Sequence, residues 1–283
     1  MYLFTIRLVF SFVSPRLILR YWEAIVGIVT SKRTEGEQRF EAYLREMGYP
    51  YLFEQAYPGK RRKVDYTVTT PKGVFLFDVK DADPNMPTGF QQFDPHEGVV
   101  RKIQAGRAKF KEYKEYPCCV VLQNNGTIFM DIEHPAVVLG AMYGKIAFSV
   151  PVYVGDGPRS EPPPPIQQGF TNGAQMQPDK NQTISALISL RRVALGKRRL
   201  RKIRSENPGL SFNEAFAFTR ERFGPDFFNE YRQGVIVWEN VYARLPLPRE
   251  LFNGPFDERF GLDGTDIACV FCGSELADLP ETD

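Results

Sequence analysis

The sequence predicts an α/β protein with a C-terminal α+β accessory region. Three observations carry this reading. Segments with helical spacing of apolar residues precede and follow strand-like runs. Two of those runs, near Lys63–Thr69 and Val74–Val79, are joined by Thr70-Pro71-Lys72-Gly73, whose Pro and Gly are turn residues, so together they read as a hairpin. Cys118–Gln123 is a short, continuous apolar run of the kind expected for a buried strand.

The chain has 283 residues, enough for one large domain or two small ones. Apolar content of 43% and charged content of 25% are ordinary for a globular protein. The formal net charge is only +2, so affinity for nucleic acid has to come from local basic clusters rather than overall charge. Four cysteines in a chain of this size form no disulfide framework and point to a reducing, cytoplasmic setting.

Along the chain, Met1–Val13 reads as a buried strand. It carries Arg7, is too short to span a bilayer, and lacks a small-residue cleavage site, so no membrane partner is expected. Pro15 to Val29 reads as a helix. A clearer helix begins near Thr34, with Glu37 three residues on in the capping-box pattern, an apolar face of Phe40, Tyr43, Leu44 and Met47, and Gly48 at its end. Strands are expected near Tyr51–Tyr57, Lys63–Thr69 and Val74–Val79. A Pro-, Gly- and Asp-rich loop follows from Ala82 to Pro95, then a helix over Val99–Tyr113, the Cys118–Gln123 strand, a turn at Asn124-Asn125-Gly126 and a return strand over Ile128–Ile132.

Composition shifts at Gly155. Residues 155–182 are rich in Pro, Gly, Gln and Asn, with Pro162 to Pro165 consecutive, and read as a linker or loop. The expected division is therefore a first domain over 1–154, the linker over 155–182, and an accessory domain over 183–283. In the last, Thr183–Arg204 reads as a basic helix, Ser211–Phe223 as a helix capped by Ser211, and Val235–Tyr242 and Ile267–Phe271 as strands.

The chemistry concentrates in Lys63-Val64-Asp65-Tyr66 and Phe75-Leu76-Phe77-Asp78-Val79-Lys80. On a strand, Asp78 and Lys80 point to one face and Val79 to the other. An acid and a lysine side by side in an apolar strand are costly to bury unless they have a task. Two carboxylates can hold Mg²⁺ with positions open for water and a phosphate, and a nearby ammonium can orient that water and steady negative charge. Asp65 and Asp78 are the candidate ligands, the Val79 carbonyl a candidate further oxygen, and Lys80 the amine.

A helix bearing Glu37, an Asp at the start of a hairpin and Asp-x-Lys on the next strand resemble the PD-(D/E)XK nuclease superfamily. Glu37, Phe40, Tyr43, Leu44, Gly48 and Tyr49 resemble that family's helix motif. Val64 stands where the family commonly has Pro, and Ala108 where its RecB-like branch has Tyr after Gln104. The resemblance covers Glu37 to about Leu122. It implies a restriction-endonuclease-like core, a helix, a three-strand antiparallel meander, a helix and a further strand, with a mixed central sheet flanked by helices. It also implies metal binding by Asp65 and Asp78, completed by Glu37, and a catalytic Lys80. Glu35 and Glu41 compete with Glu37 as the helix acid. Mg²⁺ is the expected cofactor, with Mn²⁺ as a substitute.

Basic residues expected to meet nucleic acid are Lys60, Arg61 and Arg62 before Asp65, Arg101 and Lys102 on the following helix, and Arg198, Arg199, Arg201 and Lys202 in the dense run near residue 200. The same residues also suit solvated helix faces and hairpin ends. Cys269-x-x-Cys272 lacks evident companions for a closed zinc site, so free thiols are the simpler reading. The expected activity is that of a Mg²⁺-dependent endonuclease. DNA is favoured over RNA by family frequency, and restriction, phage defence or repair are the settings the family offers. The accessory region would bind nucleic acid, a partner or a second copy of the chain. The rivals are a non-catalytic nucleic-acid-binding protein that retains the fold, and an assembly factor.

Overall fold

A computed structural model describes residues 33–82, 94–125, 131–144, 146–149, 167–170, 173–263 and 266–274. The expected N-terminal strand and helix, almost all of the Ala82–Pro95 loop, and residues 128–130 lie outside that set. So do residues 150–166, where the linker begins. The order of elements is α1 (Glu35–Glu46), β1 (Tyr51–Phe53), β2 (Tyr66–Thr70), β3 (Gly73–Ala82), α2 (Glu97–Phe110), β4 (Cys118–Asn124), α3 (Pro135–Tyr143), β5 (Ile146–Ser149), β6 (Gln167–Phe170), β7 (Ile184–Ala194), α4 (Leu195–Glu206), α5 (Phe212–Phe223), β8 (Tyr231–Glu239), β9 (Glu258–Asp263) and β10 (Asp266–Cys272).

The fold is α/β around a mixed eight-stranded sheet, in the order β1-β2-β3-β4-β7-β8-β9-β10, with β5 and β6 forming a separate pair. β1, β2 and β3 form an antiparallel meander. β3, β4 and β7 run parallel, β8 returns antiparallel to β7, β9 runs parallel to β8, and β10 closes antiparallel. Glu35–Asp283 form one compact unit.

The β2–β3 hairpin follows from its turn. Gly73 sits at φ 131, in the region glycine favours, and the register sets Tyr66 opposite Phe77 and Thr70 opposite Gly73. Alternation along β3 then divides its side chains between two cores. Phe75, Phe77 and Val79 join Phe40, Tyr43 and Leu44 of α1 on one face. Leu76 and Ala82 join Val99, Ile103 and Phe110 of α2 and Val138 and Leu139 of α3 on the other. Helices therefore cover both faces of the parallel strands, as burial of a parallel sheet requires.

α1 and α2 are each seated by a close approach. Gly36 donates its N–H to Asp81 Oδ1 at 2.9 Å, and a β-carbon there would lie 2.8 Å from that oxygen. Arg39 Nη1 donates to Gln123 Oε1 at 2.7 Å, fixing α1 over β4. On the other face, a β-carbon at Gly106 of α2 would lie 2.3 Å from Val120 Cγ2. Gly48 ends the α1 segment at φ 71, as its sequence signal predicts.

Three expectations change. Residues 183–283, expected as an accessory domain, instead supply four strands of the same sheet, since β7 pairs with β4. The expected helix over Thr183–Arg204 is strand to Ala194 and helix only from Leu195. Ile184–Leu190 is buried throughout, and a run buried on both faces loses the alternation that marks a strand. Ile132, expected in a return strand, lies in a turn. The Ser211 cap is as expected. Its N–H donates to Glu214 Oε2 at 2.9 Å and its hydroxyl accepts from the Glu214 N–H, a complete capping box.

Candidate functional site

The site forms where the β2–β3 pairing stops. β2 begins at Tyr66, whereas β3 continues beyond Phe77 to Ala82 with only β4 beside it. Extending the register by one pair sets Asp65 across from Asp78. This leaves edge donors of β3 without a strand partner, and the Asp65 carboxylate fills that role: its Oδ2 accepts the Val79 N–H at 2.7 Å. Val79, expected to offer its carbonyl, thus contributes its amide.

Asp78 points to the α2 face of the sheet with Leu76 and Lys80, through the period of two. Its side chain is fully buried, while those of Asp65, Lys109 and Lys80 retain 15%, 16% and 25% exposure, so the pair opens to solvent on one side. Lys80 Nζ lies 2.8 Å from Asp78 Oδ2. That approach lacks hydrogen-bond geometry, and Asp78 Oδ2 is a buried oxygen with no hydrogen-bond partner. Lys109, from the last turn of α2, inserts between the carboxylates. Its Nζ donates to Asp65 Oδ1 and, at 2.5 Å, to Asp78 Oδ1.

Electrostatics follow from this crowding. Burial, and then the neighbouring Asp78 charge, push the Asp65 carboxyl up to about 6 from an ordinary 3.8, against the pull of Lys109. Burial alone would lower Lys109, but Asp78 and Asp65 outweigh it and its proton is held more tightly than in water.

Sequence reasoning brought together Asp65, Asp78 and Lys80, and the structure places these three in one cluster. Glu37 stands elsewhere. It lies on α1, whose apolar side packs on the opposite face of the sheet, and its carbonyl accepts from Tyr66 Oη at 2.8 Å. The cause is helical spacing: Glu37 shares a side with Phe40 and Leu44, which must face that core. Glu41, its competitor, is buried on the same side, where Tyr51 Oη donates to Oε1 at 2.6 Å and Arg45 pairs with it. Among the described residues, no third acidic, histidine or cysteine side chain joins Asp65 and Asp78 in a metal-holding group.

The residues fit a divalent ion through two carboxylates. Mg²⁺ commonly takes only one or two, completing its octahedron with water and substrate phosphate. Asp78 Oδ2, paired with Lys80 but without a hydrogen bond, is a buried acceptor that an ion could use, and burial raises the affinity of Asp65 for a proton.

Lys109 was missed in the sequence. Its signal is modest: a lysine flanking the buried stripe Val99, Ile103, Gly106 and Phe110 of a helix that connects two parallel strands. Such a helix must cover one sheet face, and here it covers the face bearing Asp78.

The basic residues near the hairpin are largely tied down. Lys60 Nζ pairs with Glu115 at 2.5 Å and sits 5.4 Å from the Tyr113 ring centroid, the Arg61 N–H donates to Glu112 Oε2 at 2.8 Å, and Tyr113 Oη donates to the Arg62 carbonyl. These contacts bind the segment before Asp65 to the end of α2. Arg101 pairs with Glu97 on the surface, and Lys102 is half-buried. In α4, Arg198 is half-buried and Arg199 pairs with Glu230 at 2.5 Å, whereas Lys197, Arg201, Lys202 and Arg204 face solvent. Burial, then Arg191, lower the Arg198 guanidinium from its ordinary value.

Cys118 and Cys119 are buried, Cys269 and Cys272 are exposed, and none of the four is in a disulfide. Among the described residues no helix is long and apolar enough to cross a membrane. The chain matches no family model, no curated protein and no solved structure.

Proposed function

We propose that the protein is a Mg²⁺-dependent phosphodiesterase acting on nucleic acid, of the PD-(D/E)XK type. The observation that carries the reading is the Asp65–Asp78–Lys80 cluster at the open edge of β3, with one buried carboxylate oxygen lacking a hydrogen bond. The order α1-β1-β2-β3-α2-β4, an antiparallel meander followed by a parallel strand, supports it, being the order that the resemblance implies.

Asp65 and Asp78 would hold the ion, which when bound would polarise a phosphate oxygen and make a water nucleophilic. Asp65 is oriented for this by the Val79 N–H, which fixes one oxygen and turns the other toward Asp78. Lys80 carries its ammonium beside Asp78 and toward solvent, where it can hold a proton of the attacking water or steady charge on the phosphate. Glu37 has no part in this scheme. The exposed bases of α4 offer a phosphate-binding surface. That helix follows β7, which runs parallel to β3, so it begins at the sheet end where β3 also finishes. DNA is the preferred substrate class, with defence, restriction and repair as settings.

A second reading has a specific observation behind it. Lys109 and Lys80 already balance the two carboxylates, and among the described residues no third acid joins them in a metal-holding group, which suits a binding protein that keeps the fold without cutting. One experiment separates the two. Purified protein is incubated with duplex and single-stranded DNA and RNA in Mg²⁺, Mn²⁺ or EDTA, alongside Asp78→Asn and Lys80→Met. Metal-dependent cutting lost by about a hundredfold or more in both variants, with unchanged circular dichroism, is expected. Salt-sensitive binding without EDTA-sensitive cutting would establish the second reading.

A further inference from the structure

We propose that Lys109 is an internal counter-cation that holds the divalent-ion position between Asp65 and Asp78, so that a metal ion enters only by displacing its ammonium. Lys109 would thereby set the metal concentration at which the site loads. The inference rests on the metal-dependent reading above.

The geometry is that of a bridge. One nitrogen contacts one oxygen from each carboxylate, Asp65 Oδ1 and Asp78 Oδ1, the latter at 2.5 Å. A divalent ion held by Asp65 and Asp78 would draw on the carboxylate oxygens that Lys109 now contacts. An ammonium and a dication cannot both occupy the space between these two carboxylates. Lys80 is differently placed: it approaches Asp78 Oδ2 without a hydrogen bond, so it need not leave when an ion arrives. Lys109 also has an exit. Its side chain is partly exposed, it stands in the last turn of α2, and its four-carbon stem can swing the ammonium into water without moving the helix.

The lysine explains how two facing carboxylates, one of them fully buried, are tolerated beside an apolar core. An unpaired pair would repel and would favour protonation or opening of the edge. Holding the position with a tethered monovalent charge keeps the carboxylates converged. A divalent ion then competes with that charge for the same oxygens, and substrate phosphate can tip the balance by adding ligands to the ion.

The test is Mn²⁺ binding to the full chain, followed by electron paramagnetic resonance of free Mn²⁺, with melting temperatures in EDTA and in Mn²⁺. Lys109→Met removes the charge at similar length and should bind Mn²⁺ about tenfold tighter or more, gaining more thermal stability from Mn²⁺ than the wild type does. Lys109→Arg retains a competing cation and should bind no tighter than the wild type. Equal or weaker binding by Lys109→Met would overturn the proposal and leave Lys109 a structural ion-pair partner. If Lys109→Met is unfolded in EDTA, folding on addition of Mn²⁺ reports the same competition, and failure to fold in either condition overturns it. Mn²⁺ binding that survives Asp78→Asn unchanged, or no binding to any form, would sink the metal reading itself, which distinguishes the two failures.

Discussion

Asp65→Asn tests the electrostatics of the site through stability alone. The Asp65 carboxyl titrates at about 6 in the folded protein against an ordinary 3.8, because it is buried and faces Asp78. A raised folded value means that the folded state holds the proton more tightly than the unfolded chain does. The stability tied to this group is therefore full below about pH 3.8 and is lost as pH rises through about 6. Each unit is worth about 1.4 kcal/mol, so the shift sets a ceiling of roughly 3 kcal/mol on the loss. The substitution also costs about 1 kcal/mol at any pH, since one amide oxygen cannot accept from both Lys109 and the Val79 N–H. Only the pH-dependent part is diagnostic. Urea denaturation from about pH 4 to about pH 7, followed by fluorescence of the buried Trp238, should show wild-type stability minus variant stability falling by roughly 1–3 kcal/mol as pH rises. A difference that is flat with pH, or rises with it, would refute the argument that burial and the facing Asp78 charge raise the Asp65 carboxyl. Mg²⁺ affinity should weaken as pH falls through about 6, because the ligand must be ionised.

Gly106→Ala should destabilise the protein by about 1–2 kcal/mol in urea denaturation, since the new methyl would meet Val120 at 2.3 Å and push α2 off β4; helix propensity offsets only part of this, and unchanged stability would argue against that close approach. Replacing Lys197, Arg201 and Arg204 with Gln should weaken nucleic-acid binding and reduce the slope of log affinity against log salt by up to about three, whereas an unchanged slope would remove α4 from the interface. Arg198 and Arg199 are poorer choices for this test, because burial and the Glu230 pair engage them within the fold.

What the sequence revealed, and what it concealed, follows from the range of each interaction. The hairpin was legible because its turn residues and its period of two are local, and the same period put Asp78 and Lys80 on one face. Strand β7 was not. Ile184–Leu190 carries apolar residues on both faces, so no alternation survived, and the basic residues after Leu195 extended the helical reading backwards over it. Glu37 shows a subtler limit. Its helix and apolar face match the structure, but helical spacing cannot say which face of a sheet the helix will cover. Gly36 and Asp81, which seat α1 over one face, are 45 residues apart in the chain. Lys109 is the converse case. Nothing local distinguishes it from the other bases of α2, yet a helix crossing from β3 to a parallel β4 must lie over one face of β3. Once that is the face of Asp78, a lysine at the edge of the buried stripe can reach the carboxylates. Two sites of equal chemical weight therefore differed in legibility for a geometric reason: partners on adjacent strands announce themselves by register, whereas partners in adjacent layers depend on which side of the sheet each helix takes.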